Sequence, residues 1–256
     1  MSDQMDAENQ VKDEEKVTAA LLVIGDEILS GRTKDKNIGT IADHLTDVGI
    51  QMREVRVVAD EEKDIVAAVN TLRNENTYLF TTGGIGPTHD DITADCVAKA
   101  FNVTIDIDQR AVDVMRAKRP DMEFNEARLR MARIPDGADL IENAVSGAPG
   151  FMLDNVIVMA GVPSIMQSML TAVIPRLKTG KKMMSITIEV KRPEGAVAGP
   201  LGRVADNFSD VSMGSYPYYI DGNYGTNLVL RSTDVARLEA AEAALKTELR
   251  DAGLVD

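Results

Sequence analysis

Apolar runs alternate with amphipathic helical patterns over the larger part of the chain. The first run, AALLVIG at residues 19–25, is almost continuously apolar and ends in glycine, which is typical of a strand buried on both faces of a parallel sheet. Residues 52–58 and 78–82 predict two more strands, and a helical pattern follows each of the three. This alternation predicts right-handed βαβ crossovers and an α/β fold, a three-layer αβα domain with a mostly parallel sheet.

Polar residues mark the ends of the predicted helices. Asn37 is predicted to cap the first helix, and Gly49 to end it. The third helix is predicted to begin near Asp91 and to place Cys96 in the core. The other predicted elements are a helix that buries Ile65, Val66, Val69 and Leu72, helices at residues 109–116 and 125–132, strands at residues 151–153 and 156–160, and a helix that begins at Pro163.

The pattern changes after the polar segment at residues 178–182. The remaining segment predicts a small α+β domain. Its predicted elements are a strand at residues 184–191, a helix at 195–207, strands at 211–215 and 227–231, and a final helix at 235–249 capped by Asp234. Asp221 and Gly222 predict the turn between the last two strands, and Met213, Tyr216, Tyr218 and Tyr219 are interpreted as core rather than interface. We therefore predict an acidic tail (1–16), an α/β domain (17–178), a linker (179–183) and an α+β domain (184–256).

Composition narrows the class of protein. The residues are 44% hydrophobic and 27% charged, and the formal net charge of −13 argues against a nucleic-acid binder. The sequence lacks a run of 18 apolar residues, so a membrane-spanning helix is not expected. Residues 1–16 carry six acidic and two basic residues, which is typical of a disordered tail and unlike a signal peptide. The single cysteine excludes an internal disulfide. Together, these features predict a cytoplasmic protein.

The most informative segment, GGIGPTHDD, follows the third predicted strand at residues 83–91. Gly83, Gly84 and Gly86 allow positive φ and a close approach of the backbone to a ligand, and the N-terminus of a helix favours a phosphate. Asp90 and Asp91 would repel that phosphate unless a divalent cation lies between the carboxylates and the phosphate oxygens. The segment therefore predicts a small phosphate-bearing ligand that binds with Mg²⁺, or with Mn²⁺ or Co²⁺ in its place.

Other residues near this segment have open roles. Asp26 and Glu27 follow the first strand, and they would face the same crevice, where four converging acids are costly without a cation. His89 is a candidate to bind phosphate or relay a proton, or it simply fills the turn. Arg32 and Lys34 are candidates to stabilise developing charge, or are solvated loop residues. Dinucleotide-binding, P-loop and nucleophile-elbow motifs are absent from the sequence.

The segment TTGGIGPTHDDIT at residues 81–93 resembles the signature of the molybdopterin-binding fold family, shared by MogA, MoaB and the N-terminal domain of CinA. The resemblance covers residues 18–178 and includes four further matches to the family: IGDEILSG (24–31), Asn37, APGF (148–151) and AGVPSIM (160–166). DVSMGSYPYY (210–219) and YGTNLVLRSTD (224–234) resemble the small domain that follows this fold in CinA-type proteins and FAD synthases. The chain thus resembles a stand-alone CinA-type protein, and we do not expect the amidase activity of full-length CinA.

The resemblance implies either of two activities. One branch of the family hydrolyses nucleotide pyrophosphates such as ADP-ribose or FAD with a metal, which we take as the leading hypothesis; the other binds molybdopterin for cofactor assembly. A non-catalytic ligand-binding or interaction module is the third hypothesis. A homo-oligomer is also implied. The implied residues are Asp90, Asp91, Asp26 and Glu27 for the metal, His89 with the two aspartates for catalysis, and Gly83, Gly84, Gly86, Thr88, Asn37, Gly161 and Pro163 for the ligand.

Overall fold

A computed structural model of the protein describes residues 16–121 and 123–255, and it divides the chain into two compact units with the boundary after Gly180. This boundary lies inside residues 179–183, which the sequence predicts as a linker. The predicted acidic tail lies outside the described residues, apart from Lys16.

The first unit is an α/β domain. Its strands are β1 (Thr18–Ile24), β2 (Gln51–Val58), β3 (Tyr78–Thr82), β4 (Ile105–Ile107), β5 (Arg133–Pro135), β6 (Asp139–Ile141), β7 (Gly150–Leu153) and β8 (Val156–Met159). Its helices are α1 (Asp26–Leu29), α2 (Asn37–Asp47), α3 (Glu62–Glu75), α4 (Thr93–Phe101), α5 (Gln109–Lys118), α6 (Glu126–Arg130) and α7 (Pro163–Val173), with a 3-10 turn at Ile174–Arg176.

The predicted mostly parallel sheet is confirmed. Six strands lie in the order β2-β1-β3-β8-β7-β6; the first four are parallel, and the β8–β7 and β7–β6 pairings are antiparallel. One apolar core lies between the sheet and α3, α4 and α5, and a second lies between the sheet and α2 and α7. Because helices cover both faces, β1 is apolar along nearly its whole length, with residues 19–24 buried.

Some helix ends and strands differ from the sequence prediction. Asn37 does not cap α2; the Asp35 carboxylate accepts hydrogen bonds from the N–H groups of Asn37 (2.9 Å) and Ile38 (2.8 Å) instead, and Asn37 is buried. The sequence analysis missed β4, β5 and β6, which have three residues each. Such short pairings carry too few residues for a hydrophobic period to be recognisable.

The second unit is the predicted small α+β domain. It consists of β9 (Met184–Val190), α8 (Glu194–Asn207), β10 (Ser212–Ile220), β11 (Asn223–Ser232) and α9 (Val235–Asp251), with an antiparallel sheet in the order β10-β11-β9. Asp221 (φ 51°) and Gly222 (φ 81°) form the turn of the β10–β11 hairpin as predicted. The Asp234 side chain caps α9 by accepting from the N–H of Arg237.

The interpretation of Tyr216 and Tyr219 as core residues is wrong, whereas Met213 packs against the core of this unit. Tyr216 is 49% exposed and Tyr219 is 76% exposed, because β10 extends to Ile220 and carries both rings out along the hairpin. The core of this unit is formed instead by aliphatic side chains such as Val197, Leu228 and Leu245. In neither unit do the described residues include a helix long and apolar enough to cross a membrane.

Candidate functional site

The candidate site lies where β1, β3 and β8 end. These strands are parallel neighbours, so the segments that follow them, residues 25–36, 83–92 and 160–162, emerge at one edge of the sheet. Ligands in open α/β sheets bind outside this carboxyl edge. Nearly all of the residues singled out in the sequence belong to these three segments.

The glycine turn after β3 packs so closely that side chains do not fit. Gly83 (φ 100°) and Gly84 (φ 65°) have left-handed backbones. A Cβ atom at Gly83 would lie 2.1 Å from the carbonyl oxygen of Ile24, and one at Gly84 would lie 2.1 Å from Thr93 Oγ1. The Thr93 hydroxyl donates to the carbonyl of Gly83 (3.0 Å), which joins the turn to the first residue of α4. The turn is therefore fixed between β1 and α4.

The paired acids precede α4 rather than open it. The helix begins at Thr93, so the prediction of a start near Asp91 is wrong by two residues. Asp91 Oδ2 accepts hydrogen bonds from the backbone N–H (2.8 Å) and the hydroxyl (2.6 Å) of Thr88. One oxygen of Asp91 therefore closes the turn, and Gly86 leaves room for this carboxylate, since a Cβ there would lie 2.6 Å from Oδ2.

Asp90 and His89 face solvent. Their side chains are 61% and 98% exposed, and 3.9 Å separates Asp90 Oδ1 from His89 Nδ1. The pKa of the Asp90 carboxyl lies below its ordinary value, first because of the nearby Thr88 side chain and then because of the backbone N–H of Asp90. Asp90 is therefore ionised at neutral pH and accessible to a cation.

A third acidic segment joins the site through Asp60, which was not singled out in the sequence as a site residue. Asp60 Oδ2 accepts from the N–H of Asp26 (2.9 Å). Burial raises the pKa of Asp60, and the charges of Asp26, Glu27 and Asp90 raise it further. The predicted convergence of acids therefore includes Asp60. The available signal was its position directly after β2, at the same edge of the sheet as Asp26.

Among the described residues, these acids do not by themselves form a complete metal-binding site. Over residues 16–121 and 123–255 there is no group of three or more His, Cys, Asp or Glu side chains arranged to hold a metal ion. Mg²⁺ is usually bound by only one or two carboxylates, together with substrate phosphates and water. Within the described residues, the carboxylates near Asp90 therefore do not supply a complete set of metal ligands by themselves.

A cavity of about 230 Å³ lies beside these acids. It is lined by Val23, Ile24, Glu27, Ile28, Thr33, Lys34, Asp35, Lys36, Asn37, Thr82, Gly161 and Pro163. The structure thus brings together three residues that the resemblance implied as ligand-binding, Asn37, Gly161 and Pro163, with one implied metal residue, Glu27. Of the acids implied for the metal, Glu27 is the one that lines this cavity.

Two polar atoms in residues that line the cavity have no hydrogen-bond partner. The Asn37 side-chain amide donates to the carbonyl of Gly161 (2.8 Å), which orients the amide, and its Oδ1 is left without a donor. Thr82 Oγ1 likewise has no partner, and these residues are only 4% and 1% exposed. Buried polar atoms of this kind are costly unless a ligand or water supplies the missing bond.

Arg130 at the end of α6 is a further residue that the sequence analysis missed. Its Nη2 donates to the carbonyls of Asp91 (3.2 Å) and His89 (3.4 Å). With Gly86 and Asp91 it borders a small cavity of about 20 Å³, which is room for about one water molecule. Its Nε is buried without a partner.

The other residues considered in the sequence lie away from this chemistry. Cys96 is 1% exposed in the core, as predicted, and burial raises the pKa of its thiol to about 12. His44 is half-buried on α2, with Nδ1 2.8 Å from the carbonyl of Thr40. Arg32 is an exposed loop residue, whereas Lys34 of the same loop lines the larger cavity.

Comparison with known proteins agrees with this architecture. Residues 20–179 match the family described as "Probable molybdopterin binding domain". The chain belongs to this molybdopterin-binding domain family. Residues 182–256 match a second family, the middle domain of FAD synthase. The two matches adjoin at the boundary between the two compact units.

Relatives match one or both regions of the chain. A protein of Thermococcus kodakarensis is 32% identical over 236 residues, which cover 86% of this chain and 93% of that protein. A CinA-like protein of Desulfosudis oleivorans is 38% identical over 170 residues, or 63% of this chain and 41% of that protein. A solved structure described as the protein CinA with unknown function, from Thermoplasma acidophilum, has 34% identity and a TM-score of 0.58 and covers 62% of this chain and 98% of that chain.

Proposed function

We propose that this molybdopterin-binding-like protein binds a small phosphate-bearing ligand at the carboxyl edge of its sheet together with a divalent cation, and hydrolyses a nucleotide pyrophosphate of the ADP-ribose or FAD type. One observation carries the proposal: Glu27, one of the acids at this edge of the sheet, lines the 230 Å³ cavity, so a ligand in the cavity lies next to a carboxylate. The carboxylates at this edge would repel a phosphate unless a cation accompanies it.

The residues have distinct roles in this proposal. Asp90 and Asp91 hold the cation, with Asp26 or Glu27 assisting directly or through water. The backbone of the glycine turn contacts the phosphates, from a position between β1 and α4 that only glycine allows at residues 83 and 84. Lys34 at the cavity wall neutralises phosphate charge. When bound, the cation supplies Lewis-acid polarisation of the phosphate and lowers the pKa of water for attack.

The role of His89 follows from its exposure. Its imidazole is 98% exposed and lies beside Asp90, so in this proposal it reaches the ligand from the solvent side and moves a proton or contacts a phosphate oxygen. A histidine variant is therefore expected to lower the rate of turnover without an effect on stability.

Molybdopterin binding for cofactor assembly is the second candidate function. The description of the family that matches residues 20–179 favours it. The match of residues 182–256 to the middle domain of FAD synthase favours the nucleotide instead, because it adds a second region of similarity to a protein of flavin nucleotide chemistry. We therefore place hydrolysis of a nucleotide pyrophosphate first and pterin binding second.

Hydrolysis of FAD and ADP-ribose, measured as AMP release with Mg²⁺, Mn²⁺, Co²⁺ or EDTA, tests the proposal. We expect metal-dependent AMP release that is lost in Asp90→Asn and in Asp91→Asn, where the new amide oxygen can still accept from Thr88. Asp43→Asn, an exposed substitution on α2, is the matched control and should keep full activity. No AMP release with any of these metals would contradict hydrolysis and favour pterin binding.

A further inference from the structure

The turn that carries the paired acids is anchored at Ile85, which packs against both apolar cores, and has few hydrogen bonds to the rest of the protein beyond that residue. Its base is joined to α4, where the N–H of Thr93 donates to the carbonyl of Gly84 (3.0 Å). Within the turn, the N–H of Asp91 donates to the carbonyl of Thr88 (3.3 Å), and Asp91 accepts from Thr88 in return. All of these bonds are local, and none of them joins residues 85–91 to a more distant element.

Arg130 supplies a long-range connection to this turn. It lies 39 residues from Asp91 in sequence, at the last position of α6, and its guanidinium donates to the carbonyls of both Asp91 and His89. Asp90 lies between these two residues, so the guanidinium binds the carbonyl of the residue on either side of it. A planar guanidinium with several donors can hold two carbonyls at once, which a single ammonium group does less well.

The positive charge of Arg130 and its hydrogen bonds to the turn have opposite expected effects on cation binding. A positive charge near Asp90 repels an incoming cation, so a purely electrostatic role predicts that its removal strengthens cation binding. A positioning role predicts the reverse, because an untethered turn would have to order its carboxylates when the cation binds. The two roles therefore give opposite signs for the same substitution.

We propose that Arg130 is a positioning residue that holds the turn at residues 85–91 in the conformation that presents Asp90 and Asp91 to the cation. The inference rests on the proposed function, since it takes these two aspartates as cation-binding residues. It adds a residue that lies outside the signature TTGGIGPTHDDIT and acts through backbone carbonyls rather than on the ligand.

Mn²⁺ affinity of the full chain, measured by the electron paramagnetic resonance signal of free Mn²⁺, tests the proposal without any substrate. We expect Arg130→Ala to weaken Mn²⁺ binding about tenfold or more, as is usual when a residue that orients metal ligands is removed. Arg130→Lys should fall between Arg130→Ala and the wild type. Arg128→Ala is the matched control, because Arg128 lies on the same helix and donates to the carbonyl of Glu123 instead.

Amide hydrogen exchange across residues 83–92, without metal, tests the tether independently. Arg130→Ala should raise exchange in this segment but not in α3 or α7, whereas Arg128→Ala should leave the segment unchanged. Unchanged exchange in Arg130→Ala would overturn the proposal, and so would Mn²⁺ binding that is equal to or tighter than in the wild type. If the wild-type chain binds no Mn²⁺, the cation binding of the proposed function and its dependence on Arg130 are both contradicted. This holds even if hydrogen exchange confirms that Arg130 holds the turn.

Discussion

The side-chain amide of Asn37 donates a hydrogen bond over 2.8 Å to the carbonyl of Gly161, which lies 124 residues further along the chain. This bond joins the first turn of α2 to the segment between β8 and α7. Gly161 in turn lies against the glycine turn, since a Cβ atom at Gly161 would be 3.3 Å from the Cα of Gly83. The bond therefore ties the start of α2, which follows the segment at residues 25–36, to the segment at residues 160–162, and it is possible because Asp35, and not Asn37, caps the helix.

Substitution of Asn37 by alanine should destabilise the first unit by about 0.5–1.5 kcal/mol, because it removes the hydrogen bond from the buried Asn37 amide to the carbonyl of Gly161. Asn70→Ala is the control, since the Asn70 side chain accepts only from Arg73 three residues away on α3, and its loss should change stability by less than about 0.5 kcal/mol. Urea unfolding curves measure both. Equal midpoints for the two variants would show that the bond does not stabilise the site.

Two glycines of the first unit should respond to alanine with opposite signs. Gly84→Ala forces a side chain onto a left-handed backbone and against Thr93 Oγ1, which should cost about 1–3 kcal/mol. Gly39→Ala lies within α2, where a Cβ atom would have nothing within 4 Å, and should stabilise by about 0.5–1 kcal/mol. Thermal unfolding of both variants measures the difference. A Gly84→Ala variant as stable as the wild type would contradict the close packing of the turn.

The second unit should lose stability in acid through Asp210. Arg237 donates to both carboxylate oxygens of Asp210 at 2.7 Å, and this bonding lowers the pKa of Asp210 to about 2. Because the pKa is lower in the folded state than in the unfolded state, the contribution is fully present above about pH 4 and is lost as the pH falls towards 2. Asp210→Asn should therefore be less stable than the wild type at pH 7, and the two should converge near pH 2.

Tyrosine fluorescence during urea unfolding at several pH values measures this effect, since four of the five tyrosines of the chain lie in the second unit. Asp206→Asn, an exposed substitution on α8, serves as the control and should show the pH dependence of the wild type. A constant difference between Asp210→Asn and the wild type from pH 7 to pH 2 would rule out the ion pair as its source.

Elements with strong apolar patterns could be predicted from the sequence. β1 and β3 were recognised because buried parallel strands are continuously apolar, and α7 because Pro163 marks its first residue. The three-residue strands β4, β5 and β6 carry no such pattern. The exposed tyrosines of β10 were misassigned because aromatic residues in an alternating strand predict burial, although this hairpin extends beyond the core.

The part of the candidate site that lies in one continuous segment could be proposed from the sequence. The glycines and paired aspartates form one continuous segment, so their chemistry can be interpreted without a fold. Asp60 and Arg130 could not be found in this way, because their significance comes from contacts with Asp26 and Asp91, which lie 34 and 39 residues away in sequence. Only the order of the strands and the position of α6 bring these residues to the site.

Isothermal titration calorimetry of an ADP-ribose analogue, with a methylene group in place of the bridging pyrophosphate oxygen, tests whether the ligand binds together with a cation. We expect the wild type to bind the analogue with Mg²⁺. EDTA or Asp90→Asn should weaken binding about tenfold or more, while Asp43→Asn should not. Equal affinity with and without the cation, and in Asp90→Asn, would contradict the claim that the acids of the glycine turn hold a cation against the phosphates.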